Sequence, residues 1–445
     1  MGRKAEYVGM IIVMVGILAG CGRQESVDEP VLLQGKIDKK VTDYPSASAY
    51  DETLFQGVNG FAYDMARNLT VTGENYFFSP YSLCEALSIL DNAAEGETKR
   101  QIEDLLRIPD LMEWNMQMGL YRQEKQSKEA MLTSVNSLWV DQQYELCEDV
   151  YEKYLPTVEE YYLVQAYQAD FKDNAEQTTE QINRWISENM DGMIKNFKEQ
   201  VNPATVMSLI NAVYFYGEWE HPFTAEDTYS QTFYGTREES TVDMMHQGGL
   251  WLPYYEKEGL CGVSLPYGEG RIVMNILMSR QEEESSSVPE EQSGQESRQA
   301  PVAELFWQME DEEKNAFLTS LMDTESVWVQ KLQIPKFQVD CTIDELVRLL
   351  EEMGMVDAFH PGKAEFPIIG EVYVSDASHK AKLEVDELGS RAAAVTESVV
   401  AEAADEEEIQ SIEFIVDRPF LFTIQDKKTG MILFMGQIND LDGLK

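Results

Sequence analysis

Four histidines (His221, His246, His360, His379) and five cysteines (Cys21, Cys84, Cys147, Cys261, Cys341) are the side chains through which this 445-residue chain would most readily hold a metal or act as a nucleophile. They are scattered, with no H-x-x-x-H or C-x-x-C spacing, so neither a metal nor a cofactor is expected and the thiols read as free and mostly buried. No serine sits in a G-x-S-x-G turn, so Ser79 and His379 do not read as a hydrolase pair and the chain is not expected to be an enzyme. A strand pattern, rather than a catalytic one, follows Gly389. Every second side chain of a β-strand faces the same way. Ser390, Ala392, Ala394, Thr396, Ser398 and Val400 are all small or β-branched and uncharged, whereas the interleaved Arg391, Ala393, Val395, Glu397, Val399 and Ala401 hold both charges. One face of that strand can be buried while the other meets water. An Ala-rich surface helix is the competing reading, and Gly389 with the β-branched Val395, Thr396, Val399 and Val400 weighs against it. From Glu402 to Glu408 five of seven residues are acidic, and the cost of burying unpaired charge ends the strand near Ala401 or Glu402.

The elements that must present this segment are dense from Asp51 onward. Leu54, Val58, Phe61, Met65 and Leu69 recur at helical spacing. Ser79 as N-cap and Pro80 at the first helical position open a helix through about Asn92, and Thr98 to Gln101 has capping-box spacing before Ile102, so helices are expected to fill the first hundred residues after the leader. Strand signals follow at Val135–Val140, Val206–Tyr216 and Val327–Phe337, with an amphipathic stretch at Gln181–Met190 between them. Strands interspersed with helices and lacking strict βαβ alternation predict an α+β fold with large sheets. The acidic, Ser-rich stretch 281–299 is expected to be a disordered insertion within the domain.

With 43% hydrophobic and 10% aromatic residues the chain can bury a substantial core. Its 35 Lys+Arg against 80 Asp+Glu leave a net charge of −45, which repels phosphate backbones, so no nucleic-acid partner is expected. At the amino terminus Arg3 and Lys4 precede an uncharged run, Val8 to Leu18, too short to span a bilayer but suited to a signal peptide over residues 1–20. Leu18-Ala19-Gly20-Cys21 resembles the bacterial lipobox, which implies lipidation of the Cys21 thiol, attachment to the extracellular face of a bacterial membrane, and residues 21–50 as a flexible tether.

Five stretches in order resemble the serpin family of serine protease inhibitors. They are Phe77-Phe78-Ser79-Pro80-Tyr81-Ser82 with Glu95-Gly96-Glu97-Thr98; Asn211 to Trp219 with Pro222-Phe223; Ile334-Pro335-Lys336-Phe337; His379-Lys380 leading into Glu387-Leu388-Gly389-Ser390; and Asp417 to Phe422 with Leu433-Phe434-Met435-Gly436. The resemblance implies one monomeric domain over 51–445, with three β-sheets, eight to nine helices, and an exposed reactive loop from Glu387 to about Asp417. It implies that a serine protease attacks the loop, forms a covalent acyl-enzyme, and is trapped when the loop inserts as a new strand in the central sheet. Twelve residues, Ser390 to Ala401, are strand-competent. At roughly 0.5–1.5 kcal/mol net per ladder hydrogen bond they would release on the order of 10 kcal/mol, comparable with the whole stability of an ordinary domain.

The same resemblance assigns the hinge to Glu387, Gly389, Ser390, Ala392, Ala393 and Ala394, and a sheet-opening region to Ser79, Ser82, Asn211, His379, Trp219 and Lys336, with an ion pair between Glu387 and Lys336. Leu388 departs from the polar residue common before the hinge glycine. Family spacing sets the reactive bond at Ala403-Ala404, suited to elastase-like or subtilisin-like proteases, with cleavage after Glu402 by a glutamyl-specific enzyme as the alternative. The loop is about five residues longer than that spacing. A non-inhibitory serpin, or a cell-surface binding module on the same scaffold, is the rival expectation.

Overall fold

The computed structural model describes residues 30–35, 50–123, 130–190, 201–203, 205–280, 301–343, 345–374, 377, 379–390 and 411–441. Among them are nine α-helices and two hydrogen-bonded strand systems. The first is a seven-stranded sheet in the order Val31–Leu33, Gln165–Ala169, Ala130–Asp141, Met207–Glu218, Gly389–Ser390, His379–Asp386, Phe337–Ile343. The second runs from Tyr76–Phe78 through Ile432–Ile438, Phe420–Asp426, Ile272–Ser279, Leu260–Tyr267, Leu250–Lys257, Ser326–Pro335 and Glu239–Gln247 to Thr228–Tyr234. Its two halves share the Leu250–Lys257 strand, one end of which pairs with Ser326–Pro335 and the other with Leu260–Tyr267. The three expected sheets are therefore present, two of them fused.

The reasons are local where the chain is apolar. Phe420–Asp426 and Ile432–Ile438 are buried along their whole length, so they form short, nearly continuous apolar strands. Phe77 stacks on Phe422 and Phe434 with ring centroids 5.7 and 5.3 Å away, tying the second sheet to the segment that launches the Pro80–Asp91 helix. That helix begins as the sequence dictates, with Ser79 accepting the Ser82 N–H and Pro80 in the first turn. Helix Ala175–Asn189 lies across the opposite face of the seven-stranded sheet, packing Ile182, Trp185 and Ile186 against Trp139, Ile210 and Ala212.

Several expectations need correction. The capping box at Thr98 does not form. The helix Gly96–Leu106 starts earlier and is capped from a distance, the Glu365 carboxylate accepting the Glu97 N–H at 2.7 Å. Helices do not fill the early chain, because Tyr76–Phe78 is a strand. Residues 31–33, assigned to the flexible tether, pair antiparallel with Gln165–Ala169, because the Val31-Leu32-Leu33 triplet covers an open sheet edge and buries Leu33. The single strand expected at Val327–Phe337 is two strands in different sheets, broken at Lys336, whose N–H turns to the Asp243 carbonyl. Cys84 and Cys261 are buried as expected, but Cys147 is exposed. Cys21, the 281–299 insertion, Ala392 to Ala394 and the bond at Glu402, Ala403 and Ala404 lie outside the described residues.

Ile186, fully buried under the covering helix, should cost about 2–5 kcal/mol when replaced by alanine. Val71, 85% exposed, should cost less than about 0.5 kcal/mol. Urea midpoints of the first unfolding transition in Ile186→Ala and Val71→Ala check the contrast.

Candidate functional site

The site is built where strands Met207–Glu218 and His379–Asp386 approach each other. Among the described residues these two strands are joined through the two-residue strand Gly389–Ser390. Its register is Ser390 opposite Gly217 on one side and Val385 on the other, with Gly389 opposite Glu218 and Asp386. The chain reverses into that position through a turn in which the Asp386 carboxylate accepts the N–H groups of Leu388 (2.9 Å) and Gly389 (3.3 Å). Burial raises the pKa of Asp386, and those two donors oppose the rise. Gly389 has φ +148°, and a Cβ there would collide with the Gly217 carbonyl oxygen. Gly217 is also obligatory, since a Cβ on it would come within 2.7 Å of both the Phe215 and Tyr267 rings.

The expected exposed loop therefore does not begin at Glu387. Gly389 and Ser390 are buried in the sheet, and the Ser390 hydroxyl hydrogen-bonds the Tyr267 hydroxyl at 2.7 Å. Tyr267 stacks on Trp219 with centroids 4.4 Å apart and planes 11° apart. Trp219 donates its indole N–H to the Asp386 carbonyl (3.0 Å) and its backbone N–H to the Leu388 carbonyl (2.8 Å), so its packing and its hinge contact are one arrangement. Glu387 pairs with Lys336 at 2.9 Å and accepts from the Thr228 hydroxyl at 2.9 Å. Burial works against the Glu387 charge, but hydrogen bonds from Lys336 and Thr228 outweigh it and hold the carboxyl below its ordinary range.

A second group lies beneath, in the core. The Ser79 N–H donates to His379 Nε2 at 3.0 Å and the Ser79 hydroxyl donates to the Leu433 carbonyl at 2.7 Å. The Ser82 hydroxyl bonds Asn211, Asn211 Nδ2 donates to Asn136 Oδ1 (2.7 Å), and Asn136 Nδ2 donates to the Tyr162 carbonyl (3.2 Å). The two strands flanking Ser390 thus hang on one short segment, residues 79–82, one through His379 and the other through Asn211. Sequence reasoning missed Tyr267, Asp386, Thr228 and Asn136. Asn136 carried a signal, a polar residue inside the apolar Val135–Val140 run. Tyr267 carried none.

At the far end, Ser411–Ile415 pairs parallel with Ser326–Pro335, beginning at Ser411 opposite Trp328, so the expected loop ends sooner than Asp417. Twenty residues, 391–410, connect the two anchors.

Burial pushes His379 down to about 4, and its Nε2 must be unprotonated to accept the Ser79 N–H. An imidazole titrates near 6.5 in the unfolded chain, so between those values the unfolded state binds the proton and the native state does not. The stability it contributes is present above pH 6.5 and drains away as the pH falls to 4, by about 3 kcal/mol. His379→Gln keeps an acceptor without the titration. The wild-type advantage over this variant should shrink by about that amount between pH 8 and pH 4 in urea unfolding, and a constant difference would contradict the assignment.

The comparisons with known proteins agree with this architecture. The family model described as "Serpin (serine protease inhibitor)" matches residues 56–441. An uncharacterized serpin-like protein of Thermococcus kodakarensis is 31% identical over 463 residues, covering 100% of both chains. Antithrombin-III of Homo sapiens is 30% identical over 383 residues, covering 82% of this chain and 76% of its own. The native-state crystal structure of the thermophilic serpin tengpin superposes with a TM-score of 0.73 at 24% identity, covering 93% of this chain and 100% of that one. Serpin48 of the insect Tenebrio molitor superposes with a TM-score of 0.71 at 24% identity, covering 88% of this chain and 99% of its own. On the family match and the full-length relative together, this chain belongs to the serpin family.

Proposed function

We propose that the chain is an irreversible, suicide-substrate inhibitor of extracellular serine proteases that prefer a small residue at the cleaved bond. The observation that carries this reading is the seat of Ser390. Its buried side chain is in phase with the small, uncharged set that follows it in the sequence. Continuing the register from Ser390 opposite Gly217 and Val385 sets Ala392 opposite Phe215 and Leu383, and Ala394 opposite Val213 and Ala381. All four partners are buried in the main core. Thr396, the next of the set, falls opposite Asn211 and His379, so its hydroxyl arrives where those two strands hang on residues 79–82. The interleaved Arg391 falls opposite Tyr216 and Glu384 on the outer face, where a cation has a carboxylate partner. Glu397 is the costly position, since it falls opposite Ile210 beneath the covering helix.

In this mechanism the protease serine oxygen attacks the Ala403 carbonyl. The Ala403–Ala404 C–N bond breaks, the serine proton leaves with the Ala404 amine, and an ester links the protease to Ala403. Insertion of the freed strand then competes with hydrolysis of that ester by water. Cleavage after Glu402 is the alternative for a glutamyl-specific protease. The acidic run Asp405 to Glu408 favours basic proteases during encounter. We further propose that residues 1–20 are a signal peptide, that Cys21 carries a lipid, and that the inhibitor works as a monomer on the extracellular face of a bacterial membrane. Val31–Leu33 would then join that anchor to the sheet edge.

Incubation with elastase-like and glutamyl proteases should give a detergent-stable covalent complex, and mass spectrometry of the released carboxy-terminal peptide should locate the bond. Ser390→Arg sets a long cation against Tyr267 and should turn the inhibitor into a substrate that is cleaved without complex. Wild-type protein that is merely turned over would leave a non-inhibitory or purely binding role.

A further inference from the structure

Trp251 is 52% exposed, and its ring meets that of Trp328 edge-on with centroids 5.5 Å apart. The pair is built, not accidental in its geometry. Trp251 and Trp328 are register partners on neighbouring strands, and the Trp328 ring lies 3.5 Å from the position of a Cβ on Gly249, in the left-handed turn (φ +76°) that joins Glu239–Gln247 to the Trp251 strand. On its other side Trp328 is the register partner of Ser411, the first described residue after the 391–410 segment. The aromatic pair therefore stands at the point where that segment rejoins the body. From Ala404 to Ser411 is seven residues, which extended reach at most about 24 Å. A protease domain of about 220 residues has a radius of gyration of roughly 17 Å. An enzyme gripping the bond at Ala403-Ala404 therefore holds its active site within about 24 Å of this face, close enough for its body to reach it.

We propose that Trp251 and Trp328 form a docking surface for the body of the protease engaged on the loop, setting which proteases are captured quickly among those that accept the same cleaved residue. The proposal rests on the inhibitory reading and deepens it. Tryptophan is the residue whose removal most often weakens an interface, since it offers a large area and loses little rotamer freedom on binding. The surface acts at encounter, before the bond is cut, so it should affect the rate of capture and leave the later partition between trapping and hydrolysis alone.

The test compares wild type, Trp251→Ala and the distant exposed control Val71→Ala against an elastase-like protease. It measures the second-order rate constant of complex formation and the fraction of inhibitor that ends in complex. Trp251→Ala should lower the rate constant about tenfold, with the complexed fraction unchanged and the Val71→Ala control at the wild-type rate. Equal rate constants for wild type and Trp251→Ala would overturn the proposal. A dimer lost in Trp251→Ala with no change in rate would assign the pair to a second copy of this chain and overturn it as well. If wild type forms no covalent complex, the inhibitory reading fails by itself. Non-covalent binding of the same protease with its catalytic serine replaced by alanine, followed by tryptophan fluorescence, then decides the surface. Weaker binding by Trp251→Ala supports it, and equal or no binding overturns it.

Discussion

The structure depends on how two strands of one sheet are joined: among the described residues, the strand between them is two residues long. Met207–Glu218 and His379–Asp386 are bridged at one end by the two residues Gly389 and Ser390, and each is tied lower down to residues 79–82. Each further residue of such a strand would add ladder hydrogen bonds to its neighbours. In the proposed mechanism the same chain supplies the rest of that strand, and its first two residues are already in position.

The surrounding contacts serve position more than stability. The Glu387–Lys336 pair is partly exposed, with side chains 14% and 27% accessible, and an ion pair of that kind contributes little net energy. What it does, with the Asp386 turn and the two Trp219 donors, is fix where the chain reverses and therefore which residue enters the sheet first. Because period two admits no half-steps, that choice decides the fate of every later side chain. In a strand continued from Ser390, the small even-numbered set would face inward with it. A shift of one residue would send Arg391 and Glu397 into the core.

Much of this was legible locally. Ser79 and Pro80 announce their helix because capping chemistry acts within one turn, and the alternation after Gly389 is visible because strand geometry has a period of two. What stayed hidden depends on residues far apart in the chain. Seating of Ser390 needs the bare backbone of Gly217 and the hydroxyl of Tyr267, 123 positions away, and neither marks itself in its own neighbourhood. The cap that Glu365 lends to the Gly96–Leu106 helix replaces a local box that the spelling at Thr98 suggested. Likewise Val31-Leu32-Leu33 reads as an unremarkable polar-flanked triplet until an open sheet edge is available to receive it.

The most direct measurement is the heat stability of the protein before and after a single cut within residues 391–410 by a protease that is not itself trapped. Insertion worth about 10 kcal/mol, in a domain whose unfolding entropy is about 2.1 cal/mol/K per residue, corresponds to a rise in unfolding midpoint on the order of 10 °C. That rise is the predicted result. A nicked protein that unfolds at the same temperature as the intact one would mean that no strand enters the sheet, and would contradict the account.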